Sequence, residues 1–559
     1  MTAQRWLANY PEEVGRRLAI PDIPVTDLLK RAVSDDPKRE ALYFLGKRTT
    51  YGGLLEAALR FADALDRLGV STGERVALML PNCPQYVIGY YGTLFAGGIV
   101  VQTNPLSGEQ DLEHVLSDSG ATVLICLDLV YSRAAKVRAR TALKHVIVTR
   151  LDDALPFPLN TLYPVIQKRK GLLPRLDFTQ DGLLRWKSWL NKSEPNAPRH
   201  APDPGDVAVL QYTGGTTGRA KGAMLMHRNL TANVFQCQAW MYRSQFGQES
   251  VLAAVPLFHV YGMTVCMNYG ISIGARLLLI PKFDPRLLLR TIHREKPTLF
   301  PGAPTMYIAL LHDPKLSRYR LSSIRCCISG SAPLPLEVQE RFEALTGGKI
   351  VEGYGLTEAS PVTHCNPIWG RNVNGSIGVP WPETDAKIMG EDGGEMPPGS
   401  VGELAVRGPQ VMRGYWNQPE ETSAALQDGW LLTGDLAYMD ESGYFYIVDR
   451  KKDVILASGF NVYPREVEET LFAHPAVREA AVIGVPDTYR GETVKAFVVL
   501  REGMTATPEQ LDAFCRERLA AYKAPRQYEF REEIPKTFIG KTLRRILADE
   551  ERSKSERQE

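Results

Sequence analysis

The chain has 559 residues, of which 44% are hydrophobic and 23% charged, and its formal net charge is +2. This composition is typical of a globular protein with several cores. The small net charge argues against a dedicated nucleic-acid-binding protein, and no nucleic-acid partner is expected. The eight cysteines include no CxxC pair. Cys326 and Cys327 follow an apolar pattern, which predicts buried thiols in a reducing compartment.

Two long stretches carry no formal charge when histidine is neutral, residues 76–108 and residues 251–275. A membrane-spanning helix needs about 20 continuous apolar residues. Proline, asparagine, glutamine or clustered glycine interrupts each stretch, which favours strand–turn–helix elements in a large core. The first ten residues lack the pattern of a signal peptide. We therefore expect a cytoplasmic protein that does not span the membrane.

From about residue 74 to 355, short β-branched or apolar runs alternate with longer helical patterns. Runs that are apolar on both faces are typical of parallel strands covered by helices. Beyond residue 378, strands punctuated by glycine and proline indicate a β-rich subdomain. The predicted strands of the large α/β body lie at residues 75–80, 121–126, 207–210, 275–280 and 325–329.

A smaller α+β unit is predicted beyond the charged run at residues 449–453. It contains a helix after Pro464, strands at residues 480–485 and 494–500, and a helix that begins with the capping box of Thr507.

Residues 162–190 mix basic side chains with leucine, isoleucine, tyrosine and tryptophan. Such a segment can lie on an anionic membrane surface. A solvated surface insertion explains it equally well, and both interpretations stay open.

The sequence Tyr-Thr-Gly-Gly-Thr-Thr-Gly-Arg-Ala-Lys-Gly follows a predicted buried strand and occupies residues 212–222. Backbone N–H groups, hydroxyls and one cation in a turn are suited to holding nucleotide phosphates. The segment is not a P-loop, because Lys221 precedes Gly222 and no Ser or Thr follows the lysine. Taken alone, it fits a flexible surface loop as well.

Five later segments place polar groups after apolar runs: residues 328–333, 351–358, 433–435, 446–464 and 534–545. Each has an ordinary explanation by itself. Tyr354 fits a packed aromatic, Asp435 a turn former, and residues 449–453 a solvated turn. In this order, and together with residues 212–222, the segments resemble the adenylate-forming superfamily of acyl-CoA synthetases, luciferases and peptide-synthetase adenylation domains. Residues 212–218 and 458–464 are most similar to bacterial long-chain fatty acid–CoA ligases.

The resemblance implies a large N-terminal domain at residues 1–448, a hinge at residues 449–453 that includes Asp449 and Lys451, and a mobile C-terminal domain at residues 454–559. The active site would lie between the two domains. The implied reaction joins a fatty acid to coenzyme A through an acyl-AMP intermediate. It uses ATP and Mg²⁺ and serves fatty acid metabolism, including β-oxidation.

The resemblance assigns residues of the matching motifs to each part of ATP. The glycine and threonine residues of the first motif, with Lys221, would hold the β- and γ-phosphates. Glu358 and Thr213 would bind Mg²⁺, Tyr354 would cover adenine, and Asp435 would accept from the ribose hydroxyls. The residues that the resemblance assigns to nucleotide and coenzyme A binding are Thr213, Gly214, Gly215, Thr216, Thr217, Gly218, Lys221, Gly330, Ser331, Ala332, Glu352, Gly353, Tyr354, Gly355, Thr357, Asp435, Arg450, Ser458, Gly459 and Phe460.

Lys541 is the residue that the resemblance places at the reacting carboxylate and α-phosphate, where positive charge stabilises the transition state. Its motif reads Ile-Gly-Lys where the family usually has Ser or Thr before Gly-Lys, and Lys536 is the alternative. Thioester formation then needs rotation of the small domain, which would bring Ser458, Gly459 and Phe460 to the pantetheine path. Thr213, Glu358 and His259 complete the predicted catalytic set.

His259 has two interpretations, an ordinary buried histidine or a residue at the carboxylate end of an acyl tunnel. Under the second, Val255, Val260, Met263 and Gly302 form the tunnel wall. Residues 261–268 contain no tryptophan, so a tryptophan gate is not expected.

Four alternatives stay open at this point. The acyl group can pass to a carrier protein, or the acid can be medium-chain or aromatic. A luciferase-like oxidase and a non-catalytic sensor are further candidates. Peripheral attachment to the inner face of the membrane and a homodimer are also left open.

Overall fold

The structure is a computed structural model that describes residues 4–172, 174, 176–196, 201–213, 219–457, 460–487, 491–536 and 542–556. The chain divides into two compact units. The large unit comprises Leu7–Asp385 and Arg407–Leu431, and the small unit comprises Met1–Trp6, Ala386–Val406 and Leu432–Glu559. The hinge at residues 449–453 stays a prediction.

The helices are α1 Thr26–Asp35, α2 Tyr51–Arg67, α3 Pro84–Phe95, α4 Glu109–Ser119, α5 Tyr131–Arg138, α6 Leu159–Arg169, α7 Trp186–Leu190, α8 His227–Trp240, α9 Tyr269–Ser272, α10 Pro285–Glu295, α11 Pro304–Leu311, α12 Leu336–Thr346, α13 Pro419–Ala425, α14 Pro464–Phe472, α15 Pro508–Arg516 and α16 Arg544–Glu556. A π-helical segment, Gly262–Asn268, precedes α9. Short 3₁₀ turns lie at Arg5–Asn9, Asp128–Val130, Leu151–Ala154, Leu316–Arg318, Thr357–Ala359 and Lys451–Asp453.

The strands are β1 Glu40–Phe44, β2 Lys47–Thr50, β3 Arg75–Met79, β4 Ile99–Gln102, β5 Val123–Leu127, β6 His145–Thr149, β7 Leu183–Arg185, β8 Val207–Thr213, β9 Lys221–Met226, β10 Ser250–Ala253, β11 Arg276–Leu279, β12 Cys326–Ser329, β13 Lys349–Gly355, β14 Val362–Cys365, β15 Val379–Pro380, β16 Asp385–Met389, β17 Gly402–Arg407, β18 Leu426–Gln427, β19 Trp430–Met439, β20 Phe445–Arg450, β21 Ile455–Ala457, β22 Phe460–Val462, β23 Val477–Asp487, β24 Gly491–Leu500 and β25 Gln527–Phe530.

The large unit is built on a seven-stranded sheet of order β7-β6-β5-β3-β4-β8-β9. All pairs are parallel except β8 with β9. Every residue of β5 is buried, as expected for a strand covered on both faces. Helices α2 and α3 pack closely because Gly92 lacks a side chain: a Cβ there would lie 2.5 Å from a ring carbon of Phe61. The predicted parallel α/β body is confirmed.

Two further sheets belong to the large unit, β10-β11-β1-β2 and β12-β13-β14-β15. Single bridges from Leu299 to Val251 and to Cys326 connect β10 with β12. Strands β12 and β13 are parallel, with Ser329 opposite Glu352. Their carboxyl ends therefore lie at the same edge, where the predicted adenine-binding loops begin.

The small unit contains the predicted β-rich and α+β parts. β16, β17 and β19 are neighbours in that order, and β20 pairs with β19. A second sheet, β22-β21-β24-β23 with β25 on β24, is covered on both faces. Val467 of α14 and Leu511 of α15 pack on one face, and Leu547 of α16 packs on the other. The predicted capping box of α15 is confirmed, since Thr507 and Gln510 bond each other's backbone N–H groups.

All eight cysteines are free and buried, which confirms the thiols predicted at Cys326 and Cys327. Among the described residues, no helix combines the length and apolar character that crossing a membrane requires.

Candidate active site

The first predicted motif lies on the antiparallel pair β8 and β9, in which Thr213 is opposite Lys221. Strand β8 is anchored by the buried side chains of Ala208, Val209 and Leu210. The predicted phosphate-binding residues between the two strands, Gly214, Gly215, Thr216, Thr217 and Gly218, lie outside the described residues.

Lys221 and Glu358 are joined through Tyr415, a residue that the sequence analysis did not select. The Lys221 ammonium group pairs with Glu421 and lies 5.3 Å from the centre of the Tyr415 ring. The Tyr415 hydroxyl donates to the Glu358 carboxylate over 2.8 Å. We call Thr213, Lys221, Glu358, Tyr415 and Glu421 the Tyr415 cluster. It places a cation, a hydroxyl and a carboxylate at one locus, the groups that a magnesium–polyphosphate substrate needs.

Backbone pairing holds Tyr415 in this position. Ala223 of β9 forms a bridge with Tyr415, and the Met224 N–H donates to Gly414 O over 2.9 Å. Burial, and then the negative charge of Glu358, raises the pKa of Tyr415, so its hydroxyl keeps its proton and remains a donor. In the sequence, Tyr415 is an ordinary tyrosine before Trp416 and gives only a weak indication of a functional site. Its role could be recognised only once its pairing with β9 was known.

The predicted adenine-binding residues meet where β12 and β13 end. Gly330, Ser331 and Ala332 follow β12, and Tyr354 lies on β13. Ser331 has a φ of 74°, a left-handed conformation that few non-glycine residues adopt. Backbone at such a sharp turn can approach a flat ring closely.

Tyr354 is supported from β14 by His364, whose ring centre lies 6.0 Å away at 68°. Burial lowers the pKa of His364 to about 3, so this imidazole is neutral near pH 7. Its position beside Tyr354 therefore brings no positive charge to the predicted adenine site.

Four further predicted nucleotide residues shape the surrounding backbone. The Glu352 carboxylate accepts from the Leu334 N–H over 3.0 Å and so fixes the loop after β12. A Cβ on Gly353 would lie 2.9 Å from the Ile328 side chain. A Cβ on Gly355 would lie 2.2 Å from Pro361 O. Thr357 begins the 3₁₀ turn that presents Glu358.

The predicted tunnel residues gather near the same edge. Val255, Val260 and Met263 are buried, and His259 is half-buried with its Nδ1 accepting from the Tyr261 N–H over 3.3 Å.

Gly302 connects the predicted tunnel residues to the predicted adenine-binding loop at residues 330–332, the adenine loop. Gly330 N–H donates to Gly302 O over 3.0 Å, and a Cβ on Gly302 would lie 2.8 Å from the Tyr307 hydroxyl. The structure thus brings the predicted tunnel wall and the adenine loop together, while the role of His259 stays a prediction.

In the small unit, Asp435 on β19 and Arg450 at the end of β20 are opposite each other. The Arg450 Nε is 3.5 Å from an Asp435 carboxylate oxygen. The Asp435 N–H donates to the Thr433 hydroxyl over 3.2 Å, and that hydroxyl donates to Leu404 O. This pair has the acceptor and donor that a ribose requires.

The predicted hinge residue Asp449 is buried and accepts from the N–H groups of Arg450 and Arg465, each over 2.7 Å. It is therefore bonded to the first turn of α14 within the small unit. Burial raises the pKa of Asp449, and the charge of Arg544 partly offsets this. The other predicted hinge residue, Lys451, bonds Glu403 over 2.8 Å.

The remaining predicted residues of the C-terminal part are only partly described. Phe460 is 55% exposed and stacks on Tyr522 with ring centres 4.7 Å apart. Lys536, the alternative to Lys541, pairs with Glu479 over 3.0 Å. Ser458, Gly459 and Lys541 lie outside the described residues.

The predicted metal ligands are Glu358 and Thr213. Among the described residues, no group of three or more His, Cys, Asp or Glu side chains is arranged to hold a metal ion. A single carboxylate fits Mg²⁺, which commonly takes one or two carboxylates and completes its shell with water and substrate phosphates.

Comparison with known proteins identifies the family. Residues 29–416 match the family described as AMP-binding enzyme, and residues 466–541 match its C-terminal domain. A curated relative, the long-chain-fatty-acid–CoA ligase of Bacillus subtilis strain 168, is 55% identical over 551 residues, or 98% of each chain. The chain therefore belongs to the AMP-binding enzyme family.

Two solved structures share the fold. ATP-bound MatB from Rhodopseudomonas palustris superposes with a TM-score of 0.83 at 30% identity, covering 94% of this chain and 98% of that one. The anthranilate CoA ligase AuaEII in complex with anthranoyl-AMP gives a TM-score of 0.84 at 29% identity, covering 96% and 99%. The class of fold predicted from the motifs is confirmed.

Proposed function

We propose that the protein is an AMP-forming long-chain fatty acid–CoA ligase that depends on ATP and Mg²⁺. The observation that carries this proposal is the 55% identity to the Bacillus subtilis ligase along 98% of both chains. The Tyr415 cluster and the loops after β12 and β13 supply, in the large unit, groups suited to the phosphates and the adenine.

In the first half-reaction, a fatty acid carboxylate attacks the α-phosphate of ATP and pyrophosphate leaves. Lys221 neutralises phosphate charge, and Glu358, oriented by Tyr415, would hold Mg²⁺ together with Thr213. When bound, the ion neutralises charge on the phosphate oxygens. Lys541 supports the transition state by its charge near the carboxylate and the α-phosphate. The ion pair of Lys536 with Glu479 favours Lys541 for this role.

In the second half-reaction, the thiol of coenzyme A attacks the acyl carbonyl and AMP leaves. Ser458, Gly459 and Phe460 line the thiol path after rotation about Asp449 to Lys451. Asp435 and Arg450 bind the ribose. His259, Val255, Val260, Met263 and Gly302 border the acyl tunnel.

The proposal extends to the place of action. The enzyme acts in the cytoplasm, with peripheral attachment to the inner face of the membrane, and supplies acyl-CoA for fatty acid metabolism.

Product analysis tests the proposal. The protein is incubated with Mg·ATP and butyrate, octanoate, palmitate, oleate or benzoate, with and without coenzyme A, and the products are identified by mass spectrometry. The proposal predicts acyl-CoA and AMP from palmitate and oleate. If acyl-AMP accumulates and coenzyme A does not convert it, the protein loads a carrier protein instead. If benzoate is the preferred acid, the protein is an aromatic-acid ligase.

A further inference from the structure

Two side chains of helix α4 contact both ends of the predicted phosphate-binding segment. The Asp118 carboxylate accepts from the hydroxyl of Tyr212, which lies near the end of β8, over 2.6 Å. The His114 Nε2 lies 2.7 Å from the carbonyl oxygen of Ala220, the residue just before β9. A carbonyl oxygen only accepts, so Nε2 carries the proton in this contact. One helix therefore holds the residues on either side of the segment.

The two contacts support each other. His114 and Asp118 share a face of α4, because residues four apart in a helix are neighbours. The His114 ring centre lies 6.4 Å from that of Tyr212, and the rings meet edge to face at 87°. Gly222 is opposite Tyr212 and leaves room for its ring, since a Cβ there would lie 3.1 Å from Tyr212 Cζ. Burial, and then the hydrogen bond to Asp118, raises the pKa of Tyr212, so its hydroxyl remains a donor.

Helix α4 also contacts the segment that carries Tyr415. The Asp118 carbonyl oxygen accepts from Trp416 Nε1 over 3.1 Å and from Asn417 Nδ2 over 3.4 Å. The Trp416 N–H donates to Gly222 O over 2.8 Å. Asp118 thus bonds β8 through its side chain and the neighbours of Tyr415 through its backbone. A substitution of Asp118 removes the first acceptor and keeps the second.

The helix itself is fixed to the seven-stranded sheet. Leu112 and Leu116 of α4 are buried in the core formed with β3, β4 and β5. Arg75 of β3 donates from Nε to Ser119 O over 2.8 Å and from Nη2 to Gly120 O over 3.2 Å. Groups carried by such a rigid element hold a binding site more precisely than groups carried by loops.

We propose that His114 and Asp118 are positioning residues for the β- and γ-phosphates of ATP. They act by holding the two ends of the segment at residues 213–220, and neither side chain touches the substrate. The inference rests on the proposed function, which assigns this segment to those phosphates. Groups held in place before a ligand arrives bind it more tightly, because less conformational freedom is lost on binding. The two residues therefore strengthen the binding of ATP and leave that of AMP unchanged, because AMP has neither phosphate.

Calorimetric titration of the full chain with Mg·ATP and, separately, with AMP tests the inference. No fatty acid is added, so the outcome does not depend on turnover. His114→Phe keeps a ring beside Tyr212 and removes the donor to Ala220 O, and Asp118→Ala removes the acceptor of the Tyr212 hydroxyl. His114→Gln is the conservative variant, because its amide nitrogen lies as many bonds from Cα as the His114 Nε2 and can donate in its place.

The matched controls are Glu113→Ala and Ser117→Ala, each next in the chain to one of the two residues. Glu113 pairs with Arg140 over 2.9 Å, and the Ser117 hydroxyl donates to Arg140 O over 3.4 Å. The thermal midpoint of every variant is measured as well. If His114→Phe or Asp118→Ala lowers it, Tyr212→Phe replaces that variant, because it removes only the hydroxyl.

The wild type and the controls should bind both nucleotides. His114→Phe and Asp118→Ala should raise the Kd for Mg·ATP by about threefold to tenfold and leave the Kd for AMP unchanged, and His114→Gln should restore most of the ATP affinity. Variants that bind Mg·ATP like the wild type would overturn the inference alone, and so would variants that lose ATP and AMP equally. A wild type that binds neither nucleotide would overturn the proposed function together with the inference.

Discussion

At the scale of single residues, Tyr415 contacts both the cation and the carboxylate of the predicted phosphate site. Its ring lies over the Lys221 ammonium and its hydroxyl donates to Glu358. The carboxylate is thereby oriented before any substrate arrives, and pre-orientation reduces the reorganisation needed in phosphoryl chemistry. Tyr415 is a positioning residue in this account.

Tyr415→Phe removes the hydroxyl and keeps the ring beside Lys221. A hydrogen bond to a charged group contributes about 1.5–3 kcal/mol, so we expect pyrophosphate release to slow by about tenfold or more. The Mg²⁺ concentration that gives half of the maximal rate should rise, which a purely structural role of Tyr415 would not cause. Single-turnover assays over a Mg²⁺ series provide the measurement. Tyr319→Phe is the matched control, because the Tyr319 ring packs against His293 and is not one of the predicted site residues. Equal behaviour of the two variants would contradict the role of Tyr415.

At the scale of elements, Arg544 at the start of α16 pairs with several carboxylates of the small unit. Its guanidinium lies 2.7 Å from Glu468 of α14, 3.3 Å from Asp453 and 4.0 Å from Asp449. Burial alone would lower the pKa of Arg544, but the surrounding carboxylates outweigh it and raise the pKa. Burial raises the pKa of Glu468 despite this partner. The network ties α14, α16 and the end of β20.

Arg544→Ala leaves Glu468 and Asp449 buried without their cation. Breaking a buried pair in this way costs about 3–5 kcal/mol, so the small unit should unfold at a lower temperature. Arg545→Ala, next in the chain but with 52% of its side chain exposed, is the matched control and should change the midpoint little. Calorimetry measures both, and an Arg544→Ala midpoint equal to that of the control would contradict the network's contribution.

Strand β14 gives the large unit a pH dependence through His364. Burial lowers the pKa of His364 to about 3 from a reference of 6.5, so the unfolded state binds more protons between these values. The stabilisation is present above pH 6.5 and is lost as pH falls toward the folded pKa, at up to about 1.4 kcal/mol per pH unit.

The thermal midpoint of the wild type should therefore fall between about pH 7 and about pH 5, and His364→Gln should reduce the size of that fall. Differential scanning calorimetry of the two proteins across this interval makes the comparison. His312→Gln is the control, because His312 is exposed. A fall of the same size in His364→Gln and the wild type would rule out this titration.

The elements that could be predicted from the sequence are those with an unambiguous local pattern. β5 is apolar at every buried position, β12 is apolar at all of them except Ser329, and the box at Thr507 caps α15 as expected. Residues brought together by long-range pairing could not be found this way. Tyr415 reaches Glu358 across 57 positions of sequence, and the Asp449 carboxylate reaches the Arg465 N–H across 16. Helix α6 departs from the usual pattern of a surface helix, since none of its residues is buried.

At the scale of the whole molecule, the proposal requires two half-reactions served by different residues of the C-terminal part. The proposal assigns Lys541 to the first and Gly459 to the second. The hydrogen bond from Arg465 N–H to Asp449 keeps that carboxylate with α14, so a pivot on its N-terminal side would leave the bond intact.

Lys541→Ala should slow acyl-AMP formation by about 10²–10³-fold, because it removes transition-state charge, and should spare thioester formation from supplied acyl-AMP. Lys536→Ala is the matched control, since Lys536 pairs with Glu479.

Gly459→Leu should slow thioester formation and spare acyl-AMP formation, because the larger side chain fills the thiol path. Gly108→Leu is the control, because a Cβ there meets no atom within 4 Å. Rapid-quench assays of each half-reaction decide the matter, and equal loss of both steps in either variant would contradict the division of roles.

The measurement that tests the account most directly is product identification with palmitate, Mg·ATP and coenzyme A. The account predicts palmitoyl-CoA, AMP and pyrophosphate, with palmitoyl-AMP detected when coenzyme A is left out. Formation of ADP, or the absence of any palmitoyl-CoA, would contradict it.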